Sequence, residues 1–224
     1  MTTYQLSIDI DQAGLSAIYT SGQRVTLVKS VTSFPGSTGN LPVAWISFNP
    51  MEGNLITWTE NYSVYATTTQ IAGGAQIVMS SSTPAQEGIM YALENGAFSN
   101  IAGGAPSVYN VKNMMEPGNF NFGLAQDVEI NGVPVSAPVS ASPVLYNETA
   151  TFTPIETISV FLTSYTNNGV VITQVASNAC TIILTSQNPT ASLTFQDSTN
   201  TFIQNASAPL TVYDLVQKRL QTAA

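Results

Sequence analysis

Histidine is absent from this 224-residue chain, and cysteine occurs once, as Cys180. Without imidazole there is no Ser-His-Asp or Cys-His catalysis and no imidazole-bearing zinc site. A lone thiol excludes an internal disulfide, a thiolate zinc site and dithiol redox chemistry. Positive charge is nearly as scarce. Arg24, Lys29, Lys112, Lys218 and Arg219 are the five basic residues, against thirteen acidic ones. So few cations cannot neutralise a run of phosphates, which argues against nucleic acid as a partner. Attraction to anionic lipid headgroups is weak for the same reason, so a membrane partner is not expected. The whole charged share is 8%, about a third of the usual level. Ser, Thr, Asn, Gln and Ala take the surface positions instead. No apolar run is long enough to span a bilayer.

What is present is strand pattern. Leu6, Ile8 and Ile10 alternate with Gln5, Ser7 and Asp9, the period of a half-buried strand. Similar runs cover 24–29, 43–48, 62–68, 76–79, 89–93, 157–163, 170–175, 181–185 and 192–195. Turn residues separate them, and the class is all-β, an antiparallel sandwich or barrel. Asn131-Gly132 suits a hairpin turn, because both residues tolerate positive φ. Pro134, Pro138 and Pro143 mark an edge strand or extended loop, since proline cannot donate to a ladder. Nine Phe and nine Tyr argue against disorder. The one helix expected is the tail Val212 to Leu220, with Asp214 as its cap.

One pattern is written twice. Ser63-Val64-Tyr65-Ala66-Thr67 matches Ser159-Val160-Phe161-Leu162-Thr163, and Gly73 and Ser81 fall opposite Gly169 and Ser177. Trp58-Thr59 and Phe152-Thr153 precede the match in each copy, while Tyr4, Leu6 and Ile8 align with Phe120, Phe122 and Leu124. The expected architecture is therefore two tandem antiparallel β-sandwich, Ig-like domains, at 1–108 and 119–213, with a short tail or helix at 214–224. The join is the breaker-rich stretch Ile101 to Asn119. Ser33 to Asn54 reads as an insertion in the first copy, and it holds Trp45.

Catalytic motifs fail one by one. No lysine follows a serine at Ser-x-x-Lys spacing, and neither a Gly-x-Ser-x-Gly elbow nor a phosphate loop occurs. Asp9-Ile10-Asp11-Gln12-Ala13-Gly14 resembles the start of a calcium loop, but Thr20 stands where the bidentate Glu belongs. Asp9 and Asp11 are read as the polar face of a strand. No catalytic, cofactor or metal residue is assigned, and no enzyme activity is expected. Trp45, Trp58, Tyr62 and Tyr65 are aromatics that could stack on a sugar. Trp45, in the insertion, and Tyr62 are the candidate ligand or contact surface, and carbohydrate stays open as a partner. Cys180, on the strand with Ile182 and Leu184, is expected to be buried and inert.

Tyr4-Gln5-Leu6-Ser7-Ile8, the stretch from Thr57 to Tyr65 and Phe122-Gly123-Leu124-Ala125-Gln126 resemble a family of short β-rich bacterial and fungal proteins. By implication the resemblance extends to the fungal crystal-forming protein OCTIN. It implies a protein that packs into a dense ordered body, and disulfides between chains. Cys180 alone supports at most a dimer bond. The surface composition agrees independently, because short Ser, Thr and Asn side chains lose less entropy at a contact than Lys or Arg.

Two functions follow as expectations. The first is a non-enzymatic structural protein that self-assembles, as a homo-oligomer or higher-order body, into an ordered inclusion or crystal. The second is a lectin-like or pore-forming defence toxin that binds glycans or membranes. Met1-Thr2-Thr3-Tyr4-Gln5-Leu6 enters strand alternation with no basic or apolar leader, so no signal peptide is expected. A cytoplasmic place, or an intracellular inclusion or vacuole, follows from that reading.

Overall fold

The computed structural model describes residues 2–35, 41–116, 120–164 and 167–205. The first half forms β1 (Thr3–Asp9), α1 (Gln12–Thr20), β2 (Gln23–Phe34), β3 (Val43–Ala44), β4 (Ile46–Phe48), β5 (Gly53–Thr67), β6 (Ser81–Ala85), β7 (Met90–Glu94) and β8 (Ala97–Ile101). The second forms β9 (Tyr109–Asn113), β10 (Phe120–Ile130), β11 (Val133–Pro138), β12 (Ser142–Val144), β13 (Thr149–Ser164), β14 (Val170–Val171), β15 (Cys180–Ile183), β16 (Thr190–Gln196) and β17 (Thr201–Gln204). The all-β class is as the alternation requires. In β1, Tyr4, Leu6 and Ile8 are buried while the residues between them are not.

Among the described residues the strands form an eight-stranded sheet, a seven-stranded sheet and a small β3–β14 pair. The first large sheet runs β11-β10-β5-β1-β16-β17, and the second runs β4-β2-β13-β9-β7-β8. These orders correspond place by place. A long central strand, β5 or β13, lies antiparallel to β10 and β1 in one sheet and to β2 and β9 in the other. Next comes a parallel ladder, β1–β16 or β9–β7, and then a hairpin, β16–β17 or β7–β8. β6 pairs with the C-terminal half of β5, as β15 does with that of β13.

Ser63-Val64-Tyr65 and Ser159-Val160-Phe161 thus take the same place in the two sheets. Val64 faces Leu124 and Thr83; Val160 faces Leu27 and Cys180. Trp58 faces Tyr4, and Phe152 faces Tyr109. The counterpart of β1 is therefore β9, inside the stretch expected to be the join, and Tyr4 corresponds to Tyr109 rather than to Phe120.

The strand pairing does not bear out two tandem sandwiches at 1–108 and 119–213. Each large sheet mixes both halves: β5 of the first half pairs with β10 of the second, and β2 with β13. One apolar cluster contains Leu6, Leu27 and Trp58 together with Leu124, Phe152 and Leu193. The physical reason is that alternation marks which face of a strand is buried, not which strand satisfies its backbone.

Local differences have local causes. Residues 12–20 are helical, with Leu15 and Ile18 turned inward and the Asp11 carboxylate accepting from Gly14 N at 2.7 Å. Asp11 is thus an N-cap, not a strand residue. Asn131 and Gly132 both adopt positive φ in the β10–β11 hairpin, as their sequence requires. β11, with Pro134 and Pro138, lies at a sheet edge. The expected helix at Val212 to Leu220 and the tail at 214–224 lie outside the described residues.

Candidate functional site

The least ordinary group in the core is the Lys29 amine. Val25, Leu27 and Lys29 share the inward face of β2, and all three are buried. From the opposite sheet, β10 sends Phe122, Leu124 and Gln126 inward by the same alternation. Lys29 Nζ donates to Gln126 Oε1 at 2.9 Å and to Glu156 Oε1 at 2.6 Å. Glu156 sits in β13 where the register with β2 breaks between Ile155 and Ile158. Glu156 shares the inward parity of Phe152, Ile158 and Val160, and the register break leaves it with no facing residue on β2.

Three aromatic rings enclose the amine. Its Nζ lies 5.4 Å from the Trp45 ring centre, 5.7 Å from Trp58 and 5.1 Å from Tyr62. Such contacts favour a cation where water is excluded. Trp58 Nε1 donates to Glu156 Oε2 at 2.9 Å, and the Tyr62 hydroxyl donates to Glu156 Oε1 at 3.1 Å. Gln126 Nε2 donates to the Thr59 carbonyl at 2.7 Å, which fixes the carboxamide with its oxygen toward the amine. Tyr4 stacks on Trp58 and donates its hydroxyl to Glu60 at 2.5 Å.

Burial dominates the electrostatics. It lowers the Lys29 amine from its ordinary 10.5 to about 8, although Glu156 opposes the shift. Burial first, and then the Glu156 charge, push the Tyr62 phenol far up. An isolated charge here would be costly. The carboxylate, the carboxamide and the rings together make the ammonium tolerable.

Trp45 and Tyr62, expected on a contact surface, are 0% and 4% exposed. Within the segment expected to be an insertion, β3 and β4 fold inward, and β4 pairs with β2. That places Trp45 edge-on against Trp58 inside the core. Neither ring offers a face to a sugar. Cys180 is only partly buried, not fully as expected, and packs at the edge of the core opposite Val160. Burial raises its thiol pKa, which disfavours the reactive thiolate.

Among the described residues no group of three His, Cys, Asp or Glu side chains could hold a metal, and no helix is long and apolar enough to cross a membrane. A shallow depression lined by Gly74, Gln76, Asn167 and Thr173 has no ionisable side chain in its wall. The inward-facing Lys29, Gln126 and Glu156 were the site residues that sequence reasoning missed. Their signal was period two: Lys29 continues Val25 and Leu27, Gln126 continues Phe122 and Leu124, and Glu156 lies on the face of Phe152 and Ile158. No family model, curated protein or solved structure matches the chain.

Proposed function

We propose that this is a non-enzymatic structural protein that associates with copies of itself into an ordered body. The observation that carries the reading is the nature of the two sheet ends. Among the described residues, β8, Ala97-Phe98-Ser99-Asn100-Ile101, and β17, Thr201-Phe202-Ile203-Gln204, end the two large sheets. Neither contains a charge or a proline. Sheet edges of monomeric proteins are ordinarily blunted by such residues, as Pro134 and Pro138 do in β11. β6 and β15 come near these ends, but their ladders are with β5 and β13.

The ends occupy corresponding places, so a second copy can add at either one. Two like docking edges on one molecule allow growth in both directions, which a single patch does not. We read the matching sheets as an internal repeat whose halves have exchanged strands. Low surface charge and short polar side chains lower the cost of regular packing. An intracellular inclusion is the proposed place for such a body. The lectin-like alternative loses its sugar platform, because Trp45 and Tyr62 are buried.

The test is sedimentation of the purified chain over a concentration series, with electron microscopy of the pellet. Ordered particles of repeating spacing are expected. A strict monomer at every concentration, or amorphous pellet alone, would overturn the reading.

A further inference from the structure

We propose that Lys29 and Gln126 become joined by an intramolecular isopeptide bond, which the protein forms on itself with Glu156 carrying the proton. The structure holds the amine, the carboxamide and a carboxylate in direct contact. The amine touches the carboxamide oxygen at 2.9 Å, and the carbon to be attacked is one bond further. Productive attack needs the reacting atoms about 3–3.5 Å apart, a small movement from this contact. The carboxylate that would take the ammonium proton is 2.6 Å away.

The surroundings favour aminolysis over any competing reaction. Lys29 and Gln126 are 2% and 1% exposed, so water does not compete for the carbonyl. A lowered amine pKa raises the fraction of neutral nucleophile. Trp58 and Tyr62 hold Glu156 in place, and Thr59 holds the carboxamide. Corresponding strands of the two sheets supply the partners, so the bond would tie one sheet to the other through the core.

The step balances without an oxidant or a cofactor. Glu156 takes a proton from the Lys29 ammonium, and the neutral Nζ attacks Cδ of Gln126. The Nζ–Cδ bond forms as the Cδ–Nε2 bond breaks. Nε2 takes the proton from Glu156 and leaves as ammonia, and the proton lost by Nζ in forming the amide leaves with it as ammonium. Glu156 returns to its starting state. This is a single self-modification and not turnover, and it does not depend on self-association.

Intact-mass measurement of the full, unmodified chain is the test, followed by tryptic mapping. The expected mass is below the sequence mass by one ammonia. Trypsin should fail to cut after Lys29, and its peptide should be found linked to the one containing Gln126. Lys29→Met, Gln126→Ala and Glu156→Gln should each restore the full sequence mass. A wild-type chain at full sequence mass overturns the proposal, whether or not the variants fold. So does loss of water mapped to Lys29 and Glu156, or loss of ammonia mapped to an Asn-Gly pair such as Asn131-Gly132.

Discussion

Lys29 and Gln126 stand at corresponding positions of the two sheets and touch each other across the core. Lys29 faces Ile158 on β13, Gln126 faces Tyr62 on β5, and each lies at the register break of its ladder. Two lysines at these places would repel, and two carboxamides would leave Glu156 without a cation. One of each satisfies the centre. The correspondence of the two sheets is therefore broken chemically at the point where they meet.

The first prediction concerns the carboxylate. In the unlinked Gln126→Ala background, Glu156→Ala leaves the Lys29 ammonium, the Trp58 indole N–H and the Tyr62 hydroxyl without their shared acceptor. Removing one partner of a buried pair costs about 3–5 kcal/mol. Urea unfolding should show a loss of that size. A loss below about 1 kcal/mol would mean that water reaches the centre and takes over the role of the carboxylate.

A second prediction follows from the amine in an unlinked form such as Gln126→Ala. The folded Lys29 has a pKa of about 8 against 10.5 when unfolded. Between these values the unfolded chain binds the extra proton, so stability rises with pH. The gain is bounded at about 3 kcal/mol by the size of the shift. Above about pH 10 unfolded tyrosines ionise, while burial keeps Tyr62 and Tyr65 protonated in the fold. Stability should then fall again. Denaturant midpoints from pH 7 to 11 should pass through a maximum near pH 10. A linked chain has no amine to titrate and should show only the fall.

The sequence was legible where one strand carries its own signal. Alternation in β1 and the Asn131-Gly132 turn were readable, and so was the equivalence of Ser63-Val64-Tyr65 with Ser159-Val160-Phe161. Pairing was not readable, because β5 is satisfied by β10 and β1, which lie far from it in sequence and in opposite directions. The site was hidden for two reasons. A lysine in a strand is ordinarily solvated, so alternation alone does not assign Lys29 to the Val25 and Leu27 face. Glu156 shares the inward parity of Phe152, Ile158 and Val160, but the register break that leaves it with no facing residue on β2 depends on the partner strand. Trp45 is buried although its Pro- and Gly-rich neighbourhood reads as surface.

The third prediction tests the closeness of two backbones. A Cβ on Gly123 would lie 1.9 Å from the Ser140 carbonyl oxygen and 2.8 Å from the Tyr65 hydroxyl. That hydroxyl donates to the same carbonyl at 2.5 Å, so neither neighbour can retreat alone. Gly123→Ala should destabilise by at least about 1–3 kcal/mol. Gly53→Ala is the control, since its nearest new contact is Asp9 at 4.0 Å. It should stay within about 0.5 kcal/mol of the parent. Equal effects at both sites would contradict the packing described for Gly123.

The last prediction separates edge pairing from simple loss of charge. The net charge is −8 at pH 7 and the sequence pI is about 4.1. Carboxylates titrate near pH 4, so acidification weakens repulsion between copies, and self-association should rise below about pH 5. No histidine is present to place a transition near pH 6.5. Ser99→Lys with Ile203→Lys puts one cation on each uncharged sheet end, both residues being exposed. The net charge becomes −8 + 2 = −6 at pH 7, which by itself weakens repulsion and favours association. Edge pairing predicts the opposite, because a lysine on a sheet edge opposes the addition of another strand. Light scattering from pH 3.5 to 8 at fixed salt should show the parent rising below about pH 5 and the double variant staying low. A variant that scatters as much as its parent would remove the sheet ends from the assembly mechanism. A parent transition centred near pH 6.5 would remove carboxylate charge as its control.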